Sequence, residues 1–316
     1  MRKDMARTLA IARDVTRIGW IDASTALVPT GGFLGDASGG FTHSFSPAIG
    51  CVLGRTSCGI ACYAQFLQAH RVYGSGAWGE YVLVKRNAAE VIARELARAA
   101  DREVDHPAHV SRIRVFSASS TEPLAGPCYP VYRECLRAVA KHRVGAWVIQ
   151  TRSPLVARLV DEIAALGSRA VVSVTIETDD PRSADLGAPG TPTVRARMSA
   201  VETLAASGIA VHVAVSPALP VRDELAFADW IAAHAAAATV DTFTDGDGAG
   251  GGRTRRTALP AVLEARGVDW RDAAPARSLH AALRARMGDR AGWSRDGFRR
   301  LATPETLVPT RASRPS

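Results

Sequence analysis

Between Phe45 and Tyr63 the chain reads FSPAIGCVLGRTSCGIACY and holds three of its five cysteines, Cys51, Cys58 and Cys62. Thiolates are soft ligands that suit zinc or iron-sulfur clusters, and three from one loop leave a fourth coordination position without a local protein ligand. A small molecule can bind the metal there. The residues between are small or flexible (Gly50, Gly54, Ser57, Gly59, Ala61), as a segment must be if its backbone is to fold back around an inorganic core. Tyr63, directly after the last cysteine, is placed to cover one side. A plainer reading makes Cys58 and Cys62, four apart, small hydrophobes sharing one helical face. The addition of Cys51 favours metal.

The elements that must position this segment follow it as a regular alternation. Tyr81 to Lys85 is extended, and Asn87 is placed to cap a helix with Val91, Ile92 and Leu96 inward, through about Ala100. Ser111 to Ala118 alternates as a strand, and 130–142 reads as a helix with Val131, Cys135, Leu136 and Val139 facing the core. Further strands are expected at 146–150, 170–176, 209–215 and 239–243, and helices at 154–166, 192–207 and 221–237. Strand and helix at intervals of about 30 residues imply right-handed βαβ crossovers and a parallel sheet. With a strand before the cysteine segment the count is six units, which predicts an α/β fold, an open, partial (β/α)6 TIM-type barrel. Ligands of parallel α/β folds gather at the carboxyl ends of the strands. Those ends carry 119–122, 151–153, Ser173 with Thr175 and Glu177, and Ser216-Pro217. Residues 1–42 read as a weakly patterned lead-in, 43–245 as the core, and 246–316 as a C-terminal extension over the barrel mouth. In the extension a helical segment is expected around Leu279 to Met287, and the end, TLVPTRASRPS, reads as disordered.

Composition limits what this scaffold can be. The 316 residues are 47% hydrophobic and 6% aromatic, which describes a soluble globular protein with a core of small aliphatic side chains. No apolar run reaches the roughly 18 residues of a membrane span; the nearest, Leu225 to Val240, is broken by Asp229 and His234. The Arg-rich start carries Asp4 and Asp14 and lacks a clean apolar stretch and a cleavage site, so a cytoplasmic protein is expected. An odd number of cysteines in a long chain fits a reducing compartment rather than a disulfide framework. The net charge of +8 permits binding to nucleic acid, although arginines scattered on helix faces are more often a solvated surface. Arg253, Arg255 and Arg256, after a glycine run, form the one local cluster suited to phosphate.

The order of these pieces resembles the radical S-adenosylmethionine (SAM) superfamily, and within it the branch of spore photoproduct lyase. The resemblance runs over about 45–245. It is carried by the cysteine segment before a βα repeat, then Glu80 to Asn87 and its helix, Ser120-Thr121-Glu122-Pro123, Val148 to Ser153, Val172 to Thr175, and Pro192 with Arg197-Met198 and Ala206 to Ile209. It implies a [4Fe-4S] cluster held by Cys51, Cys58 and Cys62, with SAM chelating the fourth iron. Reduction by an electron donor such as flavodoxin or ferredoxin would cleave SAM to methionine and a 5'-deoxyadenosyl radical, which takes hydrogen from a substrate, with nucleic acid a candidate. By matched position Arg152 would meet the SAM carboxylate, Ser120 and Ser173 would hydrogen-bond SAM, and Glu122 takes the acidic place of the usual Thr-Asp-Pro. The bland reading of these four is strand-end caps and turns. Arg197 reads as a surface or ion-pair residue.

The chain departs from the pattern twice. The family spacing is C-x3-C-x2-C, whereas here it is Cys51-x6-Cys58-x3-Cys62 with the aromatic Tyr63 kept. Where the lyase has a hydrogen-donating cysteine after the second strand stand Ser119 and Ser120, which argues against repair of spore photoproduct itself. Cys128 is the substitute candidate for a catalytic relay, and Cys135 reads as core. Two other classes remain open at this level. One is a metal-binding (zinc or iron-sulfur) nucleic-acid-binding protein without SAM turnover; the other is a barrel enzyme in which the cysteines are incidental. His106 and His109 read as exposed.

Overall fold

The computed structural model describes residues 17–35, 39–73, 76–101, 112–118, 120–186, 188 and 190–307. In chain order its strands are β1 (Arg17–Ile21), β2 (Val28–Pro29), β3 (His43–Phe45), β4 (Ala48–Gly50), β5 (Tyr81–Lys85), β6 (Arg114–Ser117), β7 (Ala146–Thr151), β8 (Ala170–Thr175), β9 (Val211–Val215), β10 (Ala237–Val240) and β11 (Ala291–Trp293). The helices are α1 (Ser57–Ile60), α2 (Gln68–Tyr73), α3 (Ala88–Asp101), α4 (Cys128–Ala140), α5 (Val160–Ala164), α6 (Pro181–Ala184), α7 (Val194–Ala206), α8 (Glu224–His234), α9 (Leu259–Glu264), α10 (Ala274–Met287) and α11 (Ser294–Arg299).

The larger sheet has the order β11-β10-β9-β8-β7-β6-β3-β2. Every neighbour is parallel except β2, which pairs antiparallel with β3 at the edge. The α/β class and the parallel crossovers expected from the alternation are therefore present. No pairing joins β2 to β11 among the described residues, so the sheet has two open edges. The six expected strands are β3 and β6 to β10, and β11 adds a seventh parallel one from the segment read as a C-terminal extension. A second sheet, β1-β5-β4, comes from the lead-in and from the residues flanking the cysteines. The weakly patterned lead-in contributes two strands: β1 runs parallel to β5 and β2 edges the main sheet.

Side-chain alternation along the strands separates two faces. Val115, Trp147, Ile149, Val172, Val174, Val213 and Val215 point to the helices and are fully buried with Leu96, Leu136, Ile163, Leu204 and Ile231. Burial of each such large side chain contributes about 1.5–3 kcal/mol relative to exposure. On the other face Phe116, Val148, Val171 and Ala214 meet Phe298, Leu301 and Leu307. The segment after β11 therefore forms an apolar floor under the amino-terminal half of the sheet. Leu307, read with the tail, is 5% exposed and belongs to that floor, while 308–316 lie outside the described residues. The carboxyl-terminal half of the inner face is polar and open.

Local departures have identifiable causes. Asn87 does not cap α3 with its side chain; the carboxamide instead clips the backbone of Ala23, accepting from its N–H (2.8 Å) and donating to its C=O (3.0 Å). The expected helix over 154–166 splits into a 3-10 turn, Pro154–Arg158, and the short α5, with Ser153 Oγ accepting from Leu155 N–H at the start. Thr193 and Asp223 cap α7 and α8, satisfying N–H groups of their first turns.

Candidate functional site

The cysteine segment leaves β4 and turns back on itself through α1. Its glycines work by close approach: a Cβ on Gly59 would stand 2.0 Å from the Gly54 carbonyl oxygen, and one on Gly54 would stand 2.4 Å from Gly79 Cα. The segment is therefore packed against itself and against the turn before β5. From the other side the chain between α6 and α7 braces it. Thr191 Oγ1 lies 2.7 Å from Ser57 Oγ, accepts from Cys58 N–H (3.2 Å) and donates to Thr56 Oγ1 (2.9 Å), while Ser57 N–H donates to Ala188 C=O (2.8 Å).

Cys51, Cys58 and Cys62 line one cavity of about 930 Å³ at the carboxyl ends of the parallel strands. Burial is the main cause that raises all three thiols, with mutual repulsion adding for Cys51 and Cys62; the Cys62 thiol is pushed up to about 12. Deprotonating the three together would need a compensating cation. Cys51 Sγ already accepts backbone N–H bonds from Leu53 (3.4 Å) and Glu122 (3.3 Å), contacts that favour a negatively charged sulfur. Among the described residues no three His, Cys, Asp or Glu side chains are arranged to hold a single metal ion. A four-iron cluster takes its cysteines on separate irons, so its donors stand wider apart than those of one zinc ion. Three cysteine sulfurs on one cavity are donors of the chemical type that such a cluster takes. The hydroxyl of Thr121, buried behind the same wall, has no protein partner among the described residues.

Beside the thiols stands a buried ion-pair network. Glu177 Oε2 accepts from Arg152 Nη1 (2.8 Å) and Arg197 Nη1 (2.6 Å), and Oε1 accepts from Arg197 Nη2 (3.0 Å). Burial opposes the Glu177 charge, but Arg152 and then Arg197 overcome it and hold the carboxyl down at about 2. Arg197 is not a surface residue: it is fully buried, and its remaining donors go to Thr175 and Pro192 carbonyls. Burial likewise opposes the Arg152 charge, yet Glu177 and the sulfurs of Cys58 and Cys62 hold it above the usual guanidinium range. Arg152 thus stands in the cavity wall between two carboxylates, paired through its side chain with Glu177 and through its backbone N–H with Glu122.

The other expected residues separate into those in the wall and those outside it. Tyr63 lines the cavity and lies under the Arg253 guanidinium, 6.0 Å from its ring centroid; Arg253 also donates to Asp247 C=O, and Arg256 stacks on Phe66. Ser120 lines it, with its Oγ 2.6 Å from Ser46 Oγ. Glu122 lines it too, but its carboxylate accepts from Thr151 Oγ1, Leu124 N–H and Arg152 N–H. It thus fastens the turn that carries Arg152, as a strand-end cap does. Ser173 is fully buried below the wall, with its hydroxyl engaged by Gln150 and His212; Gln150 and Thr175 line the cavity at that point. Cys128 is outside the wall: it opens α4 inside an apolar cluster with Ala48, Val52 and Val82, where burial pushes its thiol up to about 12. Cys135 is core, as expected. Ser119, His106 and His109 lie outside the described residues.

Asp241 has no counterpart in the sequence reading. It follows β10, is 1% exposed and lines the cavity, and burial raises its carboxyl to about 7 although Ser294, Thr242 N–H and Ser216 hydrogen-bond to it. Gly246 packs so closely that a Cβ there would stand 2.2 Å from its Oδ2. A single aspartate at the end of a short Ala-Ala-Thr-Val strand gives no local pattern, so its burial was not legible. Ala118, at the end of β6 in the same wall, holds a left-handed φ of 69°.

No family model matches the chain. An uncharacterised protein of Acidianus two-tailed virus is 26% identical over 199 residues, and the match spans 61% of this chain and 60% of that relative. Among solved structures, a cysteine-to-serine mutant of spore photoproduct lyase superposes with a TM-score of 0.58 at 14% identity, covering 90% of this chain and 84% of that one. A further lyase mutant, with bound AdoMet and dinucleoside spore photoproduct, gives 0.57 at 15% identity over the same shares. At such identities the likeness is one of fold. The chain has the fold of the spore photoproduct lyase structures, the radical SAM branch that its sequence resembles.

Proposed function

We propose that this protein is a radical SAM enzyme in which Cys51, Cys58 and Cys62 hold a [4Fe-4S] cluster and SAM occupies the adjoining cavity. The observation that carries the reading is the convergence of three thiols from one segment on a single large cavity whose wall also holds the Arg152 guanidinium. When bound, the cluster supplies one electron to the sulfonium and so opens the way to carbon-centred radical chemistry.

The chain's own residues bind, orient and exclude water. Arg152, steadied by Glu177, is charged at every physiological pH and meets a carboxylate such as that of the SAM methionyl group. Glu122 holds the backbone on which Arg152 sits and sends its own N–H to Cys51 Sγ. Tyr63 and the Arg253 above it close the cavity beside Cys62. The floor of Phe116, Phe298 and Leu301 keeps water from below. Ser120 presents its hydroxyl to the ligand.

The substrate class of this reading is a nucleic acid or its precursor. The cavity is large enough for a second molecule beside SAM, and a net charge of +8 attracts polyanions. The same charge suits an acidic one-electron donor of the flavodoxin or ferredoxin type, and five free thiols suit the reducing cytoplasm. The described helices include none long and apolar enough to cross a membrane.

Anaerobic reconstitution with iron and sulfide, followed by reduction in the presence of SAM, tests the proposal. Wild type should turn brown and release 5'-deoxyadenosine, while Cys58→Ala should lose both. A colourless wild type after reconstitution overturns it.

A further inference from the structure

Below the arginine pair, five side chains from four strands are hydrogen-bonded in one row across the inner face. Thr239 Oγ1 lies 2.8 Å from His212 Nε2, and His212 Nδ1 lies 2.8 Å from Ser173 Oγ. Ser173 Oγ lies 2.7 Å from the Gln150 carboxamide oxygen, and the Gln150 amide nitrogen 2.6 Å from Thr175 Oγ1. Hydroxyls, a carboxamide and a neutral imidazole each donate on one side and accept on the other, so the row has two self-consistent senses. In one sense Thr175 offers a proton to the cavity; in the other it offers only a lone pair.

The far end selects between them. The Thr239 hydroxyl is fully buried and meets no acceptor among the described residues except His212 Nε2. The approach is sealed, since a Cβ on Gly297 would stand 2.6 Å from Thr239 Oγ1 and the Phe298 ring lies edge-on against His212, 5.6 Å between centroids. A buried O–H left unpaired costs more than a pair gains, so Thr239 donates to Nε2. His212 then carries its proton on Nδ1 and gives it to Ser173, Ser173 donates to Gln150 Oε1, and Gln150 Nε2 donates to Thr175. Burial also keeps the imidazole neutral, depressing its titration to about 3. Thr175 is left with one proton, no protein acceptor among the described residues, and a place in the cavity wall.

We propose that His212 is a positioning residue that passes the polarity set by Thr239 along this row, so that Thr175 donates its hydroxyl proton to an acceptor atom, a hydroxyl oxygen or ring nitrogen, of the nucleoside bound in the cavity. For the ligand, though not for the polarity, the inference rests on the SAM reading above. In protein labelled with 15N, long-range proton–nitrogen spectra should show His212, assigned by its absence from His212→Asn, as the neutral Nδ1–H tautomer from pH 5 to 8. An Nε2–H tautomer, or an imidazolium, overturns the inference. S-Adenosylhomocysteine binding to the reconstituted protein should weaken about tenfold in Thr175→Val and recover in Thr175→Ser. Equal binding by Thr175→Val overturns it independently, even if His212→Asn does not fold. Should wild type bind no S-adenosylhomocysteine, the SAM reading fails while the tautomer still decides the polarity.

Discussion

Asp241 and Glu177 follow β10 and β8, on either side of β9, and line one cavity, yet their charges are managed in opposite ways. Glu177 has two guanidinium partners and stays ionised, whereas Asp241 has hydroxyls and one backbone N–H and keeps its proton to about 7. Unfolded, the Asp241 carboxyl would lose that proton near 3.8. Between these values the native state binds more protons than the unfolded chain, so this group lowers stability as pH rises from about 4 to 7. The melting temperature of Asp241→Asn should therefore exceed that of wild type by more at pH 8 than at pH 5, the gap growing by on the order of 5 °C. An unchanged gap in a calorimetric comparison would show that the carboxyl is not protonated in the fold. Of these residues the sequence displayed the cysteines, Arg152 and Glu122, because types and spacing are local. It hid the fate of Ser173, since Ser173 and Thr175 share a face and only their depth below the cavity separates them.

At the scale of elements, the cysteine segment depends on backbone contact rather than on helix propensity. α1 is a single turn, held by Thr191 and by the stack of Gly54, Gly59 and Gly79. In Gly59→Ala the added methyl meets the Gly54 backbone, and Gly54 cannot withdraw because Gly79 lies behind it. Overpacking of this kind costs about 1–3 kcal/mol, which here acts on the geometry of the three thiols. Iron bound per chain after reconstitution should fall roughly fivefold or more, with the circular dichroism of the sheet little changed. Full iron loading of Gly59→Ala would show that the segment adapts. The glycines were visible in the sequence as freedom to wrap a cluster; the structure shows that they also let three stretches of chain touch. α4, by contrast, was legible to within about two residues at each end, since Cys135, Leu136 and Val139 recur at helical spacing and are buried, although Val131, read with them, is only half-buried and Tyr132 takes its place.

For the whole molecule, the C-terminal part is not an appendage to the sheet. β11 extends it beyond β10, and Phe298, Leu301 and Leu307 form the floor beneath the polar half of the inner face. A chain ending at Arg290 would expose the β10 edge and the apolar faces of Phe116, Val148 and Val171. Each large side chain so uncovered forfeits about 1.5–3 kcal/mol, against a typical net stability of about 5–15 kcal/mol. That truncated chain should show no cooperative thermal transition and should be recovered mainly as aggregate; melting at the wild-type temperature would show the floor dispensable. Periodicity and motif order are properties of short stretches, so the sequence alone determined the βα alternation, the three-cysteine segment and the likeness to the radical SAM enzymes. Residues 291–307 are too short and mixed to display a pattern, and Asp241, His212 and Thr239 are single polar residues in apolar strands. What they contact is settled only when distant strands lie side by side, because burial and hydrogen-bond polarity depend on neighbours across the sheet rather than along the chain.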